Sequence, residues 1–246
     1  MTDPSPQPVF VLVRPQMGEN IGAAARAMAN FGLGRMRIVA PRDGWPNPKA
    51  DAMASGAGRV LDDAMIYDTT IQAIADCNHV YATTARGRDL TKTILDPEAA
   101  MTQTAGQIRA GARVAILFGP ERTGLENDDI ARANAIISVP VSPDYPSLNL
   151  AQCALLTAYE WRRQMLSGNI VDKAAQPRIA TALEVEKLGD HFEERLDAAG
   201  FFFPETKSAS MRLSLRNMWS RLPLNDADVR MLHGALRQMV RWKERG

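Results

Sequence analysis

Three short segments of this chain carry polar or charged side chains that could do chemistry. The first, residues 18–26, sets Asn20 and Arg26 within a run of glycine and alanine. The forked guanidinium of Arg26 suits a phosphate or a developing oxyanion if it faces a cleft. The alternative is an arginine that extends along the surface to reach water. Gly22 and the alanines after it predict a helix packed closely against neighbouring backbone, and Asn20 is a candidate N-terminal cap for that helix.

The second segment, residues 118–125, follows the apolar run Val114–Phe118. Such a run is typical of a strand buried on both faces of a parallel sheet. Ligands of open α/β sheets bind beyond the carboxyl ends of the strands. We therefore expect Gly119 and Glu121 to present backbone groups and one carboxylate to a ligand. The alternative is an ordinary turn between a strand and a helix.

The third segment, residues 145–152, opens a stretch in which apolar residues recur at three- and four-residue spacing. This spacing predicts a long helix after Asn149. Ser147 and Asn149 are both favoured at helix starts, so capping alone would explain them. The functional interpretation is a polar loop that closes over a ligand.

Short β-rich runs alternate with helix-like stretches in the first 160 or so residues, and these elements would position the three segments. Strands are predicted at Val9–Val13, Met36–Val39, 80–84, Val114–Phe118 and 136–139. Helices are predicted at 21–31, 70–75, 102–110 and 127–133. This alternation predicts an α/β fold with a mostly parallel sheet covered by helices on both faces.

The helical pattern after Asn149 breaks at residues 167–169, where the sequence becomes polar. We therefore predict a first domain over residues 1–166, a linker over 167–180 and a small, purely helical extension over 181–246. In the extension, Asn225 is well placed to cap a last helix that carries an apolar stripe.

Charge is unevenly distributed along the chain. The whole chain of 246 residues carries a formal net charge of +1, but residues 207–246 hold nine Lys or Arg and three acids, a net charge of +6. A basic tail on a mildly acidic body fits an electrostatic surface for phosphate backbones. A solvated helical face with a basic bias is the alternative.

Several functional classes are disfavoured. Cys77 and Cys153 are far apart, and the three histidines are isolated, so neither a disulfide framework nor a metal site is expected. No apolar run approaches the roughly 18 residues of a membrane span. The polar N-terminus lacks the pattern of a signal peptide, which makes the cytoplasm the expected location. A dinucleotide-dependent oxidoreductase is disfavoured because no G-x-G-x-x-G follows the first strand.

Together, the three segments resemble the signature motifs of the SpoU (TrmH) family of RNA 2′-O-methyltransferases in the SPOUT superfamily. The matching patterns are Asn20-x-Gly22-x-x-x-Arg26, Phe118-Gly119-x-Glu121-x-x-Gly124-Leu125 and Ser147-Leu148-Asn149-Leu150. The resemblance covers residues 8–162. The helical extension and the amino-acid sequence of residues 144–151 resemble, more narrowly, the TrmJ group. That group methylates the ribose of nucleotide 32 in the tRNA anticodon loop.

The resemblance implies a SPOUT-type α/β knot, in which residues 114–162 form a deep trefoil knot, and a homodimer with its active site near the subunit boundary. It also implies S-adenosyl-L-methionine as the cofactor. By resemblance, the cofactor contacts are Thr83, Thr84, Ala85, Gly119, Val139, Pro146, Ser147 and Leu148. No metal is required.

The same resemblance assigns the central catalytic role to Arg26, with Asn20, Glu121 and Asn149 orienting Arg26 and the ribose. Because an arginine is almost never neutral, Arg26 is expected to hold a phosphate and stabilise the forming alkoxide instead of acting as a literal base. The expected RNA contacts are Arg26, Arg122, Arg212 and Arg216.

The expected substrate is tRNA, at cytidine or uridine 32. Two alternatives are an rRNA 2′-O-methyltransferase of the same family and an inactive RNA-binding knot protein, and the intact motif residues argue against the latter.

Overall fold

The computed structural model describes residues 6–84, 91–167 and 178–243, and within them one sheet of seven strands. The strands are β1 Val9–Val13, β2 Met36–Val39, β3 Met65–Tyr67, β4 His79–Thr83, β5 Thr93–Leu95, β6 Val114–Phe118 and β7 Ala135–Ile137. They lie in the order β3-β2-β1-β6-β4-β7-β5, and every neighbouring pair is parallel. The predicted parallel sheet is confirmed, with β1, β2 and β6 at the predicted bounds.

Helices cover both faces of this sheet, as predicted. They are α1 Gly18–Asn30, α2 Pro48–Ala54, α3 Gly58–Asp62, α4 Thr70–Ile74, α5 Pro97–Arg109, α6 Asn127–Ala131, α7 Leu150–Ser167, α8 Ala182–Ala198, α9 Glu205–Arg221 and α10 Asp226–Lys243. Alternate residues of β1 point to opposite faces. Phe10 and Leu12 join a buried cluster with α1, α5 and α7, whereas Val9 and Val11 join one with α4 and α6.

The start of α1 differs from the prediction. Met17 occupies the cap position and Asn20 lies inside the helix, so the expectation that Asn20 caps it is wrong. Gly18 and Glu19 already adopt helical geometry, which leaves the Asn20 side chain free for a longer-range contact.

The N-terminal half of α1 lies unusually close to α2. A Cβ atom at Gly22 would lie 2.1 Å from the carbonyl oxygen of Ala50 and 2.9 Å from Cβ of Met53. One at Gly18 would lie 2.3 Å from Oδ1 of Asn47, the residue that caps α2. Gly22 therefore permits backbone contact between the two helices, as predicted, and Gly18 leaves room for the Asn47 side chain.

The C-terminal region is helical, as predicted. α8 and α10 begin side by side, where Ala180 N donates to Leu224 O at 2.9 Å, and they run in the same direction. Asn225 caps α10 by accepting from Ala227 N and Asp228 N, both at 2.9 Å, which confirms the predicted cap.

Hydrogen bonds attach the extension to the domain that contains the sheet. Ala182 N donates to Cys77 O at 2.7 Å, and Asn134 Nδ2 donates to Ser220 O at 2.8 Å. The half-buried ammonium of Lys92 donates to Ser220 Oγ at 2.6 Å and to Ala131 O at 3.0 Å. These contacts join α9 to the end of α6.

The knot expected over residues 114–162 concerns how the chain is threaded, and it stays a prediction. No helix among the described residues is both long and apolar enough to cross a membrane.

Candidate active site

A cavity of about 230 Å³ lies beyond the carboxyl ends of β4, β6 and β7. Seven of the residues predicted to contact a cofactor line it: Thr83, Thr84, Gly119, Val139, Pro146, Ser147 and Leu148. The eighth, Ala85, lies outside the described residues. The strand ends and two loops far apart in sequence therefore meet at one cavity, where the general behaviour of α/β sheets places a ligand.

The loop from Gly119 to Gly124 forms one wall of this cavity and is tightly folded. A Cβ atom at Gly119 would lie 2.2 Å from Leu125 N, and Gly124 has a φ of +66°. The loop is closed by a hydrogen bond from Gly124 N to Pro120 O at 2.9 Å. Glycine is required at both positions, for space at one and for backbone conformation at the other.

A hydrogen-bonded network joins the three motif segments beside the cavity. Asn20 Nδ2 donates to Glu121 Oε1 at 2.6 Å, and Asn149 Nδ2 donates to Asn20 Oδ1 at 2.9 Å. Glu121 also accepts from the backbone N–H groups of Gln16 at 2.9 Å and Met17 at 3.3 Å. The two N–H donors, which sequence patterns do not reveal, fix the carboxylate in place.

Asn149 has two roles at once. Its Oδ1 atom accepts from Ala151 N at 2.8 Å and from Gln152 N at 3.3 Å, which caps α7. Its Nδ2 atom reaches Asn20. Capping and participation in the motif network are therefore both present in this segment, although the sequence presents them as alternatives.

Arg26 lies apart from this network. It is exposed on α1, six residues after Asn20, which turns its side chain about 120° from that of Asn20 and moves it about 9 Å along the helix. Among the described residues, Arg26 has no hydrogen bond or ion pair to Asn20, Glu121 or Asn149. Within one chain, these three residues orient one another and not Arg26.

The other predicted RNA contacts differ in their surroundings. Arg122 is exposed at the wall of the cavity. Arg212 pairs with Asp197 at 2.5 Å, and Arg216 pairs with Glu186 at 2.5 Å and Glu193 at 3.1 Å. Arg212 and Arg216, both on α9, are thus held by carboxylates of α8, which gives them a part in packing the extension.

Cys153 is a cavity residue that sequence analysis did not single out. It lies one turn after Asn149 in α7, so its position relative to the third motif was a usable signal. Burial raises the pKa of its thiol to about 11. The structure has both cysteines as free thiols, and no group of three or more His, Cys, Asp or Glu side chains in the described ranges is placed to hold a metal ion.

Comparison with known proteins identifies the family. The sequence model of the SpoU rRNA methylase family matches residues 7–159. The chain belongs to this family. The resemblance seen in the three motifs of this SpoU-family methyltransferase is therefore confirmed.

Curated relatives of this SpoU-family protein share its length. It is 33% identical over 235 residues to tRNA (cytidine/uridine/adenosine-2′-O-)-methyltransferase TrmJ of Pseudomonas aeruginosa (strain UCBPP-PA14), covering 92% of this chain and 91% of the relative. It is 34% identical over 234 residues to tRNA (cytidine/uridine-2′-O-)-methyltransferase TrmJ of Klebsiella pneumoniae, covering 92% of this chain and 93% of the relative. The likeness therefore includes the extension.

Solved structures support the fold. The crystal structure of TrmJ from Z. mobilis ZM4 superimposes with a TM-score of 0.86 at 47% identity, covering 95% of this chain and 99% of that one. The SpoU methyltransferase AviRb from Streptomyces viridochromogenes, solved with AdoMet, has a TM-score of 0.53 at 20% identity, covering 68% and 62%. AviRb shows the fold alone.

Proposed function

We propose that this protein transfers a methyl group from S-adenosyl-L-methionine to a ribose 2′-hydroxyl of tRNA, at cytidine or uridine 32 of the anticodon loop. The observation that carries the proposal is the convergence of seven predicted cofactor residues on one cavity, with the three motifs joined beside it. The names of the TrmJ relatives support the reaction and the substrate class.

The residues of the cavity fit this cofactor. Loop backbone at Gly119 and around Ser147 would offer N–H and C=O groups to the cofactor, and Leu148 and Ile137 would offer it apolar contact. When bound, the cofactor supplies an electrophilic methyl group on a sulfonium, so the protein has mainly to position and polarise the reactants.

The chain's own residues divide this work. Glu121, Asn20 and Asn149 are held rigidly by one another and by backbone donors, so they can present a fixed set of polar groups to the ribose. The Arg26 guanidinium would hold a phosphate of the RNA and stabilise the negative charge that develops on the 2′-oxygen as it bonds to the methyl group. The hydroxyl proton would pass to solvent water, and the cofactor would leave as S-adenosyl-L-homocysteine.

A second copy of the chain would bring Arg26 to the network. Arg26 is exposed on α1, and the neighbouring α7 exposes Leu155 by 39%, Leu156 by 37% and Tyr159 by 46%. Apolar side chains exposed together on one helix mark an interaction surface. We assign this surface to a homodimer in which Arg26 of one copy serves the motif network of the other.

The extension would bind the body of the tRNA. Its support is the net charge of +6 over residues 207–246, with Arg122 adding a positive charge at the cavity. Arg212 and Arg216 stay proposed RNA contacts, and their ion pairs with α8 would have to be shared with or exchanged for phosphate. In this proposal residues 1–166 are catalytic, 167–180 are a linker and 181–246 bind tRNA.

Methyl transfer from labelled S-adenosyl-L-methionine to unmodified tRNA transcripts tests the proposal, with the modified nucleoside mapped by mass spectrometry. A 2′-O-methyl group at nucleotide 32 is the expected product. Arg26→Ala should abolish transfer and leave cofactor affinity unchanged, whereas Arg109→Ala, an exposed arginine at the end of α5, should be fully active. Loss of cofactor binding in Arg26→Ala would contradict its assignment to the RNA.

Ribosomal RNA is the second candidate substrate, because the matching family is described by rRNA methylation. Cofactor binding without tRNA product, together with transfer to ribosomal RNA, would replace the first proposal with the second.

A further inference from the structure

The segment that follows β1 contacts both ends of the loop between β6 and α6, which forms a wall of the cavity. At the first end of that loop, Glu121 accepts hydrogen bonds from Gln16 N and Met17 N. At the second end, the Arg14 guanidinium pairs with Asp129 and lies 3.5 Å from Glu126 Oε2. Four consecutive residues of one segment thus span the two ends of the loop.

Arg14 has a backbone conformation that a side chain disfavours. Its φ is +47°, in the left-handed region, and its N–H donates to Val39 O at 2.8 Å. Glycine or asparagine adopts this conformation more readily than arginine does. An arginine at this position therefore offers what glycine and asparagine do not, the contacts of its guanidinium with Asp129 and Glu126.

Asp129 is a buried carboxylate whose oxygens all have partners. Its side chain is 5% exposed, Oδ1 accepts from Thr70 Oγ1 at 2.7 Å, and Oδ2 accepts from Glu126 N at 3.2 Å. Arg14 supplies the cation that a buried carboxylate requires. Removing Arg14 would leave this charge uncompensated, at the point where the loop enters α6.

We infer that Arg14 and Asp129 are positioning residues that hold the cofactor loop, residues 119–126, in its binding conformation. Neither residue lines the cavity, so they act through the loop and not on the cofactor. Without this pair the second end of the loop is released, and cofactor binding must then order it, which weakens affinity. The identity of the ligand rests on the proposed function, whereas the ordering of the loop does not.

The test compares Arg14→Met with Arg37→Met. Arg37 lies on β2, its side chain is 8% exposed, and it pairs with Asp76 at 2.6 Å, away from the cavity. Both variants lose a cation that pairs with a carboxylate, although the Arg14 side chain is 33% exposed and that of Arg37 is buried; only Arg14→Met loses the loop contact. By equilibrium titration, Arg14→Met should bind S-adenosyl-L-methionine about tenfold more weakly, which is a change of about 1.4 kcal/mol. Arg37→Met should bind it as the wild type does.

Kinetics separates positioning from catalysis. In Arg14→Met the KM for S-adenosyl-L-methionine should rise about tenfold, while kcat at saturating cofactor stays within about twofold of the wild type. Arg14→Lys keeps the charge and should restore most of the affinity, and it serves as the second variant should Arg14→Met fold poorly. A fall in kcat with an unchanged KM would overturn the positioning role.

Hydrogen exchange of the ligand-free protein gives a readout that needs no cofactor. Amides of residues 122–126 should exchange clearly faster in Arg14→Met than in the wild type and only slightly faster in Arg14→Lys, with little change in Arg37→Met. Equal exchange in all proteins would overturn the inference even if S-adenosyl-L-methionine binds. A wild-type protein that does not bind S-adenosyl-L-methionine would overturn the proposed function and the stated ligand, and the exchange result would still decide whether Arg14 orders the loop.

Discussion

Substitution of Gly22 by alanine tests how closely α1 must lie against α2. The new Cβ would start 2.1 Å from Ala50 O, and real contacts stay beyond 3.0 Å, so the helices must separate by about 1 Å. Overpacking of this kind costs about 1–3 kcal/mol, partly offset by the roughly 1 kcal/mol that alanine gains over glycine in a helix. Because the contact is with backbone and as short as 2.1 Å, we place the overpacking cost at about 2–3 kcal/mol and expect a net loss of about 1–2 kcal/mol.

For a chain of this size, that loss lowers the melting temperature by about 2–8 °C, which differential scanning calorimetry can measure. Gly106→Ala is the matched control, because Gly106 lies within α5 and a Cβ there meets nothing within 4 Å. That variant should be more stable than the wild type by about 0.5–1 kcal/mol.

The same displacement has a consequence for activity. Asn20 lies half a turn before Gly22 on α1, so separation of the helices would lengthen its 2.6 Å hydrogen bond to Glu121. Methyl transfer by Gly22→Ala should therefore fall at a temperature where the protein is still folded. A variant with wild-type stability and wild-type activity would refute the reasoning about this contact.

Two further predictions concern titrating groups. Cys153 lines the cavity and Cys77 is fully buried, and burial raises the pKa of the Cys77 thiol to about 12. A maleimide should label Cys153 slowly and Cys77 hardly at all, and S-adenosyl-L-methionine should slow the labelling of Cys153, as measured by peptide mass spectrometry. Equal labelling rates of Cys153 with and without S-adenosyl-L-methionine would count against the cavity as the cofactor site. Hydrogen bonding to Arg37 lowers the pKa of Asp76 from 3.8 to about 2. Its stabilising contribution is complete above about pH 5 and is lost as the pH falls through about 2. The urea midpoints of the wild type and Asp76→Asn should therefore differ by a constant amount from pH 8 to 5 and draw together below pH 4. A difference at pH 2.5 as large as that at pH 7 would contradict this.

Elements with a buried apolar run could be predicted from sequence because the pattern alone identifies them. β1 and β6 have five buried residues each. By contrast, β3 and β5 are three residues long and partly exposed, with Ile94 63% exposed, so nothing in their pattern distinguishes them from loops. The true start of α5 was readable, since Asp96 caps it and Pro97 occupies its first position.

Much of the candidate site could also be predicted, because each of the three motifs specifies which residue types stand at which positions. What the sequence could not show is which way each side chain points and which distant group it contacts. The two amides of Gln16 and Met17 that hold Glu121 are backbone groups with no sequence signature. Arg26 and Asn20 belong to one motif, yet the period of the helix turns them away from each other. The partners of Arg14, at Glu126 and Asp129, lie more than a hundred residues away in sequence.

The composition of the cavity wall has a consequence for the order of synthesis. Its residues come from the ends of β4 and β7, from the loop after β6 and from the segment that opens α7, so the cavity is incomplete until residue 153 has left the ribosome. A nascent chain that ends before α7 can form much of the sheet and still offer no complete binding site. A ligand that requires all three walls stabilises only the chain in which they have assembled. If ribosome-stalled chains of increasing length are tested for ligand binding, the shortest chain that retains the ligand would therefore mark the point in translation at which the cavity is complete.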